Sequence, residues 1–251
     1  MSDGVSRPLE GRIAVVTGAT RGIGRASARA LALAGAHVIA VGRTQGALEE
    51  LDDEIVAAGG PQPTLVPLDL AEGGGIDALG YEIFQRHGRL DVLAHAAAMI
   101  GGLWPVAHLD PKLWDRVVAV NFSAVYRLIR SFEPLLRRSE AGRALFFTSE
   151  RASRPMAFWG SHAATKAGME ALVRSWADEI EHTKVRAVLI DPGPMRTRLR
   201  AEAFPGEDPA ELADPSEIGP MVVELAAAAD LGLPWTTVSF RTWASRDAAP
   251  P

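Results

Sequence analysis

Short apolar runs alternate with stretches of helical periodicity along almost the whole chain, and no other feature restricts the fold as tightly. Residues 12–17 read as a buried strand. Residues 22–34 then carry apolar side chains at helical spacing, and Gly35 stops the run. The pattern repeats: further strands are expected at 38–41, 64–68, 92–96, 144–148, 185–190 and 235–240, and further helices at 45–58, 75–87, 112–138 and 163–182. A strand joined to the next by a helix pairs with it in parallel, because the helix carries the chain back. Right-handed crossovers lay such helices on both faces. The expectation is an α/β fold, a single Rossmann-like domain over residues 1–251 with one doubly wound sheet of about seven parallel strands. Residues 200–218 hold Pro205, Pro209, Pro215 and four acidic residues before Asp214, and read as a loop or short-helix excursion. Residues 244–251 read as a frayed tail.

Composition removes several function classes. The chain has 251 residues, 47% of them hydrophobic and 23% charged, which suits an ordinary globular core. A net charge of -5 argues against nucleic acid or an acidic membrane surface as partner. Cysteine is absent, so disulfides, thiolate zinc sites and a cysteine nucleophile are excluded. No apolar run matches a signal peptide or the roughly 18–20 residues of a membrane helix. The expected setting is cytoplasmic.

The first strand runs into Thr17-Gly18-Ala19-Thr20-Arg21-Gly22-Ile23-Gly24, and a helix follows. Glycines let backbone approach a pyrophosphate closely, and the helix start adds free N–H groups and a positive dipole end. The spacing is G-x-x-x-G-x-G. In this it resembles the cofactor motif of the classical short-chain dehydrogenase/reductase family, and the likeness runs over residues 9–199. The resemblance implies a nicotinamide dinucleotide, a small-molecule substrate, a substrate-covering segment at about 196–220, and a homodimer or homotetramer. The helical stripes at 112–138 and 163–182 would pair across the two-fold axis.

The resemblance also assigns cofactor residues. Gly18, Thr20, Arg21, Gly22, Ile23 and Gly24 would hold the pyrophosphate. Asp69, followed by Leu70, matches the adenine-contacting acid. Ala97, after the fourth strand, is counted with them, and Ala98 adds a methyl where the backbone would pass close to the cofactor ribose. Pro192, Gly193 and Thr197 match the P-G-x-x-x-T segment that holds the nicotinamide carboxamide. NAD-preferring members carry an acid at the end of the second strand, and here Gly42 takes that place. Arg43 follows it, and Arg21 sits in the cradle. Two guanidiniums suit a 2′-phosphate, so NADP(H) is preferred over NAD(H).

The family's catalytic set is Asn, Ser, Tyr and Lys, and this chain resembles it at Asn121, Ser149 and Lys166. His162 stands four residues before Lys166, where the family has tyrosine, and its distance from Ser149 matches the family's spacing. Residues four apart share a helix face. The exchange matters chemically, because imidazole begins near ~6.5 where phenol begins near ~10, and a neighbouring ammonium lowers it further. A neutral imidazole accepts a proton well and yields one poorly, which favours alcohol oxidation over carbonyl reduction. The fourth strand departs as well: His95-Ala96-Ala97-Ala98 replaces Asn-Asn-Ala-Gly. The nearest likeness is the subgroup with a Trp-Gly-x-Tyr run and an Ala-Phe-Pro-x-Glu-Asp-Pro tail, matched by Trp159-Gly160-Ser161-His162 and residues 203–209. Two readings stay open, an NADP-dependent oxidoreductase of an alcohol and a carbonyl with reduced activity, or a non-catalytic NADP(H)-binding protein of the same fold. Trp104, Met156, Phe158, Trp159, Met195 and Phe204 suggest an apolar, roomy substrate pocket. The remaining histidines, His37, His87, His108 and His182, lack metal-ligand spacing, so no metal is expected.

Overall fold

The computed structural model describes residues 7–229 and 231–246. Seven strands form one sheet: β1 (Ile13–Thr17), β2 (His37–Gly42), β3 (Thr64–Pro67), β4 (Val92–His95), β5 (Arg143–Phe147), β6 (Arg186–Asp191) and β7 (Trp235–Ser239). All pairings are parallel, in the order β3-β2-β1-β4-β5-β6-β7. The order reverses between β1 and β4, which is where a doubly wound sheet opens a crevice at its carboxyl edge. The five central strands are short and largely buried on both faces, and so read as apolar runs without alternation, while β3 and β7 at the edges are only partly buried.

Nine α-helices follow the strands: α1 (Gly22–Leu33), α2 (Gln45–Ala57), α3 (Gly73–His87), α4 (Pro111–Val118), α5 (Ala124–Leu136), α6 (Gly160–Glu179), α7 (Arg198–Ala203), α8 (Gly219–Ala227) and α9 (Phe240–Ser245), counted among the described residues. Two large cores lie on opposite faces. One joins the sheet to α1, α2 and α8, the other to α3, α5 and α6. A third, small cluster of Ile100, Trp159, Ala163 and Ala203 stands apart, with Leu103, Leu199 and Phe204 packed on it.

Three expectations require correction. The helix expected at 112–138 is interrupted by a π turn, Ala119–Ser123, between α4 and α5. Apolar spacing does not register an added residue in the helical ladder, and such turns recur at functional sites. Helix α8 is not among the expected helices, because Gly219 and Pro220 open it and Glu224 is its one charged residue, too little to mark a polar face. The tail expected to fray from 244 is helical in α9 as far as Ser245, where Arg246 pairs with Glu224 and Trp243 Nε1 donates to Glu224; residues 247–251 lie outside the described part. The excursion at 200–218 holds α7 and two 3-10 turns, Pro209–Glu211 and Pro215–Ile218.

Arg143 fixes the lower edge of the sheet. Its side chain is 1% exposed and donates to the carbonyls of Gly142, Lys184, Ala228 and Ala229 at 2.7–3.2 Å. Ala228 is the C-cap of α8, so the guanidinium sits where that helix's dipole is negative.

Candidate active site

A cavity of about 580 Å³ runs along the carboxyl ends of the strands. One half is lined by the turn between β1 and α1, by Arg43, and by Asp69 and Leu70. The turn is built for close approach. A Cβ at Gly24 would lie 2.1 Å from the Gly18 carbonyl oxygen, and one at Gly18 would lie 2.8 Å from Ala97 N. Gly18 also has φ +71°, in the left-handed region that favours glycine. The glycines let the turn close on itself and on the chain after β4 at the start of α1, a geometry that fits a dinucleotide pyrophosphate.

Gly42 is buried at the end of β2, and a Cβ on it would come within 2.4 Å of the Thr20 methyl. The sequence has no acid at that place, and any side chain there would have to turn the Thr20 methyl aside. Arg21 and Arg43 are exposed and make no side-chain hydrogen bond or salt bridge among the described residues. Asp69 is more occupied than the sequence implied. Its Oδ1 accepts from Ala71 N at 3.0 Å, and its Oδ2 takes the Arg116 guanidinium of α4. Burial raises its pKa, but the Ala71 N–H, Arg116 and Arg43 together hold it below the ordinary value.

The other half holds Ala97, Ser149, His162, Lys166, Pro192, Gly193 and Thr197. Ser149 follows β5 in extended backbone. Its Oγ accepts from Arg151 N at 3.2 Å and caps a short 3-10 turn, leaving the hydroxyl proton to donate elsewhere. Lys166 is 3% exposed, and its Nζ donates to Phe147 O at 2.6 Å. Burial pushes its pKa down to about 8, against the pull of Glu170. Thr197 caps α7 and touches the cradle, since a Cβ at Gly22 would lie 3.3 Å from its methyl.

His162 is 3% exposed, one helical turn before Lys166 on α6. Its ring meets Trp159 edge-on, with centroids 5.7 Å apart, and its Nδ1 lies 3.1 Å from Met99 O. A carbonyl only accepts, so the hydrogen resides on Nδ1. Burial, and then the Lys166 ammonium, push the His162 pKa down to about 4, although the bond to Met99 works the other way. The ring is neutral at pH 7, and Nε2 is the nitrogen left with a lone pair.

Asn121 does not line the cavity. It is fully buried in the π turn behind it, and bonds the Met99 peptide and Thr165. Of the apolar residues expected in the pocket, Trp159 and Met195 line it. Trp104, Met156 and Phe158 are exposed instead, and Phe204 packs on Trp159 at 5.8 Å. Two further lining residues carry no sequence signal: Met99, whose contribution is a backbone carbonyl, and Arg151, whose guanidinium lies 5.7 Å from the Trp159 ring. His95 at the end of β4 is buried. Its Nδ1 pairs with Thr17 Oγ1 at 2.8 Å, while Nε2 has no protein partner. Burial, with Lys166 adding to it, pushes its pKa down to about 3.

Known proteins resemble this chain in sequence and fold. The short chain dehydrogenase family profile matches residues 12–208. The uncharacterised oxidoreductase YciK of Escherichia coli (strain K12) is 36% identical over 219 residues, covering 86% of each chain. A short chain dehydrogenase from Shigella flexneri 2a, solved in complex with NADP, superposes with a TM-score of 0.88 at 34% identity, covering 93% of this chain and 98% of that one. One from Escherichia coli CFT073, solved with NADPH, gives 0.88 at 34% identity over 94% and 98%. With the sheet order, the glycine turn and these relatives in agreement, the chain belongs to the short chain dehydrogenase family of oxidoreductases.

Proposed function

We propose that this protein is an NADP(H)-dependent oxidoreductase that interconverts a secondary alcohol and a ketone, with His162 as its base and a bias toward oxidation. The observation that carries this reading is the shared cavity, which joins the glycine turn and Arg43 at one end to Ser149, His162 and Lys166 at the other. When bound, the nicotinamide supplies the hydride exchange. The residues supply the rest. Ser149 donates a hydrogen bond to the substrate oxygen, His162 Nε2 takes the proton that the alcohol gives up, and the Lys166 ammonium stabilises negative charge nearby. Trp159, Ile100 and Leu113 make the substrate end apolar, which suits an aromatic or bulky aliphatic ketone.

The NADP preference rests on Arg21, Arg43 and the absence of an acid at Gly42. It is supported by the relatives solved with NADP and NADPH. Replacing Arg43 with Ala is expected to weaken NADPH binding about 10- to 100-fold, the worth of a charge-assisted phosphate contact, and NADH binding by less than about threefold. Fluorescence titration with the two nucleotides checks this, and equal losses would refute the assignment.

A second reading, a cofactor-binding protein without turnover, is favoured by one observation: an imidazole held near a pKa of about 4 is a weak base. Two variants separate the readings, with 1-phenylethanol and NADP+ as the probe pair. Under the first, the parent oxidises the alcohol and His162→Ala lowers the rate about 10²-fold. Under the second, the parent is inert and His162→Tyr brings activity. The exposed aromatic residues of α4, the π turn and α5, namely Trp114, Phe122 and Tyr126, support a homo-oligomer joined through that face.

A further inference from the structure

The Asn121 side chain spends all its donors on two groups. Its Oδ1 accepts from Met99 N at 2.8 Å, and its Nδ2 donates to Met99 O at 2.8 Å and to Thr165 Oγ1 at 3.1 Å. Reversing the amide would set oxygen against the Met99 carbonyl and N–H against its amide, so chemistry fixes the orientation. Thr165 in turn lies against the carbonyls of Ser161 and His162, at 2.8 and 3.0 Å. One buried amide therefore ties the loop after β4 to the first turn of α6. The π turn carries the residue that makes this link.

The Met99 peptide has Asn121 and His162 as its hydrogen-bond partners among the described residues. Its carbonyl takes one hydrogen bond from each, and that fills its two lone pairs. Met99 belongs to no helix or strand, so the position of its oxygen depends on Asn121.

We infer that Asn121 is a positioning residue that holds the Met99 carbonyl against His162 Nδ1 and thereby sets which imidazole nitrogen faces the substrate. The inference rests on the reading of His162 as the base. It gives Asn121 a task other than the water-holding one that the family resemblance implies. With hydrogen held on Nδ1, Nε2 presents a lone pair to the substrate hydroxyl. In the opposite tautomer Nε2 carries hydrogen and meets that hydroxyl as a second donor, so proton removal stops. The logic is that of any base oriented by a third group, except that here a peptide carbonyl replaces a carboxylate.

The test is a two-bond ¹H–¹⁵N correlation spectrum of protein labelled with ¹⁵N-histidine, read for the full chain and for Asn121→Ala. The expected result is hydrogen on Nδ1 of His162 in the parent and a shift toward hydrogen on Nε2 in Asn121→Ala. With 1-phenylethanol and NADP+, kcat should fall about 10²-fold in the variant while KM and the NADPH Kd stay within about twofold. A parent spectrum with hydrogen on Nε2 overturns the inference, and does so even if the variant fails to fold. An Asn121→Ala protein that keeps both tautomer and kcat also overturns it. If His162→Ala is as active as the parent, the base assignment falls while the tautomer result stands, so the two failures are told apart.

Discussion

Gly24→Ala is expected to weaken NADPH binding at least about 100-fold, the equivalent of roughly 2.7 kcal/mol. The added methyl would stand 2.1 Å from Gly18 O and 2.6 Å from Gly18 C, where 3.4–4 Å is ordinary contact. Both are backbone atoms of the same turn, so no rotamer change relieves the clash. The turn must open by more than an ångström, and the N–H groups at the start of α1 then no longer converge on one anion. Gly46→Ala is the control, since a Cβ there meets nothing within 4 Å and α2 should gain slightly. Calorimetric titration of both variants with NADPH decides the matter. Comparable affinity in the two would remove the cradle from the cofactor site.

The second large effect is on stability. Arg143→Ala is expected to cost roughly 3 kcal/mol and to lower the melting temperature by about 10 °C. Truncation strips the buried Gly142 carbonyl and the part-buried carbonyls of Lys184, Ala228 and Ala229 of their shared donor, and leaves a void beneath β5. It also uncovers the negative end of α8. Arg143→Lys should recover part of the loss, because a single ammonium reaches fewer of these oxygens. Scanning calorimetry checks both variants. A shift under about 2 °C for Arg143→Ala would show that the carbonyls find other partners.

Much of the fold was legible because strands buried on both faces must be apolar and crossover helices must carry a stripe. The β1 turn and α1 are the clearest case, since strand end, glycines and helix start coincide. What stayed hidden has physical reasons. The π turn changes a hydrogen-bond ladder without changing the apolar spacing of Val117, Val120, Ala124 and Leu128. Helix α8 carries Glu224 as its one charged residue, too little to draw a polar face. The oxygen that orients His162 belongs to a peptide, and peptides have no sequence signature. Aromatic residues were the least informative: Trp159 and Trp104 look alike as letters, yet one lines the cavity and the other faces solvent. Asp69 was recognised by position, but its ion pair to Arg116 joins β3's end to α4, a pairing that only three dimensions reveal.

The small cluster around Trp159 has an evolutionary corollary. Ile100, Trp159 and Ala203 come from three distant stretches of chain and share no buried side chain with the two large cores. Under the proposed function, mutations there would reshape substrate choice without disturbing the two cores that hold the glycine turn, so selection could retune one end and leave dinucleotide affinity unchanged.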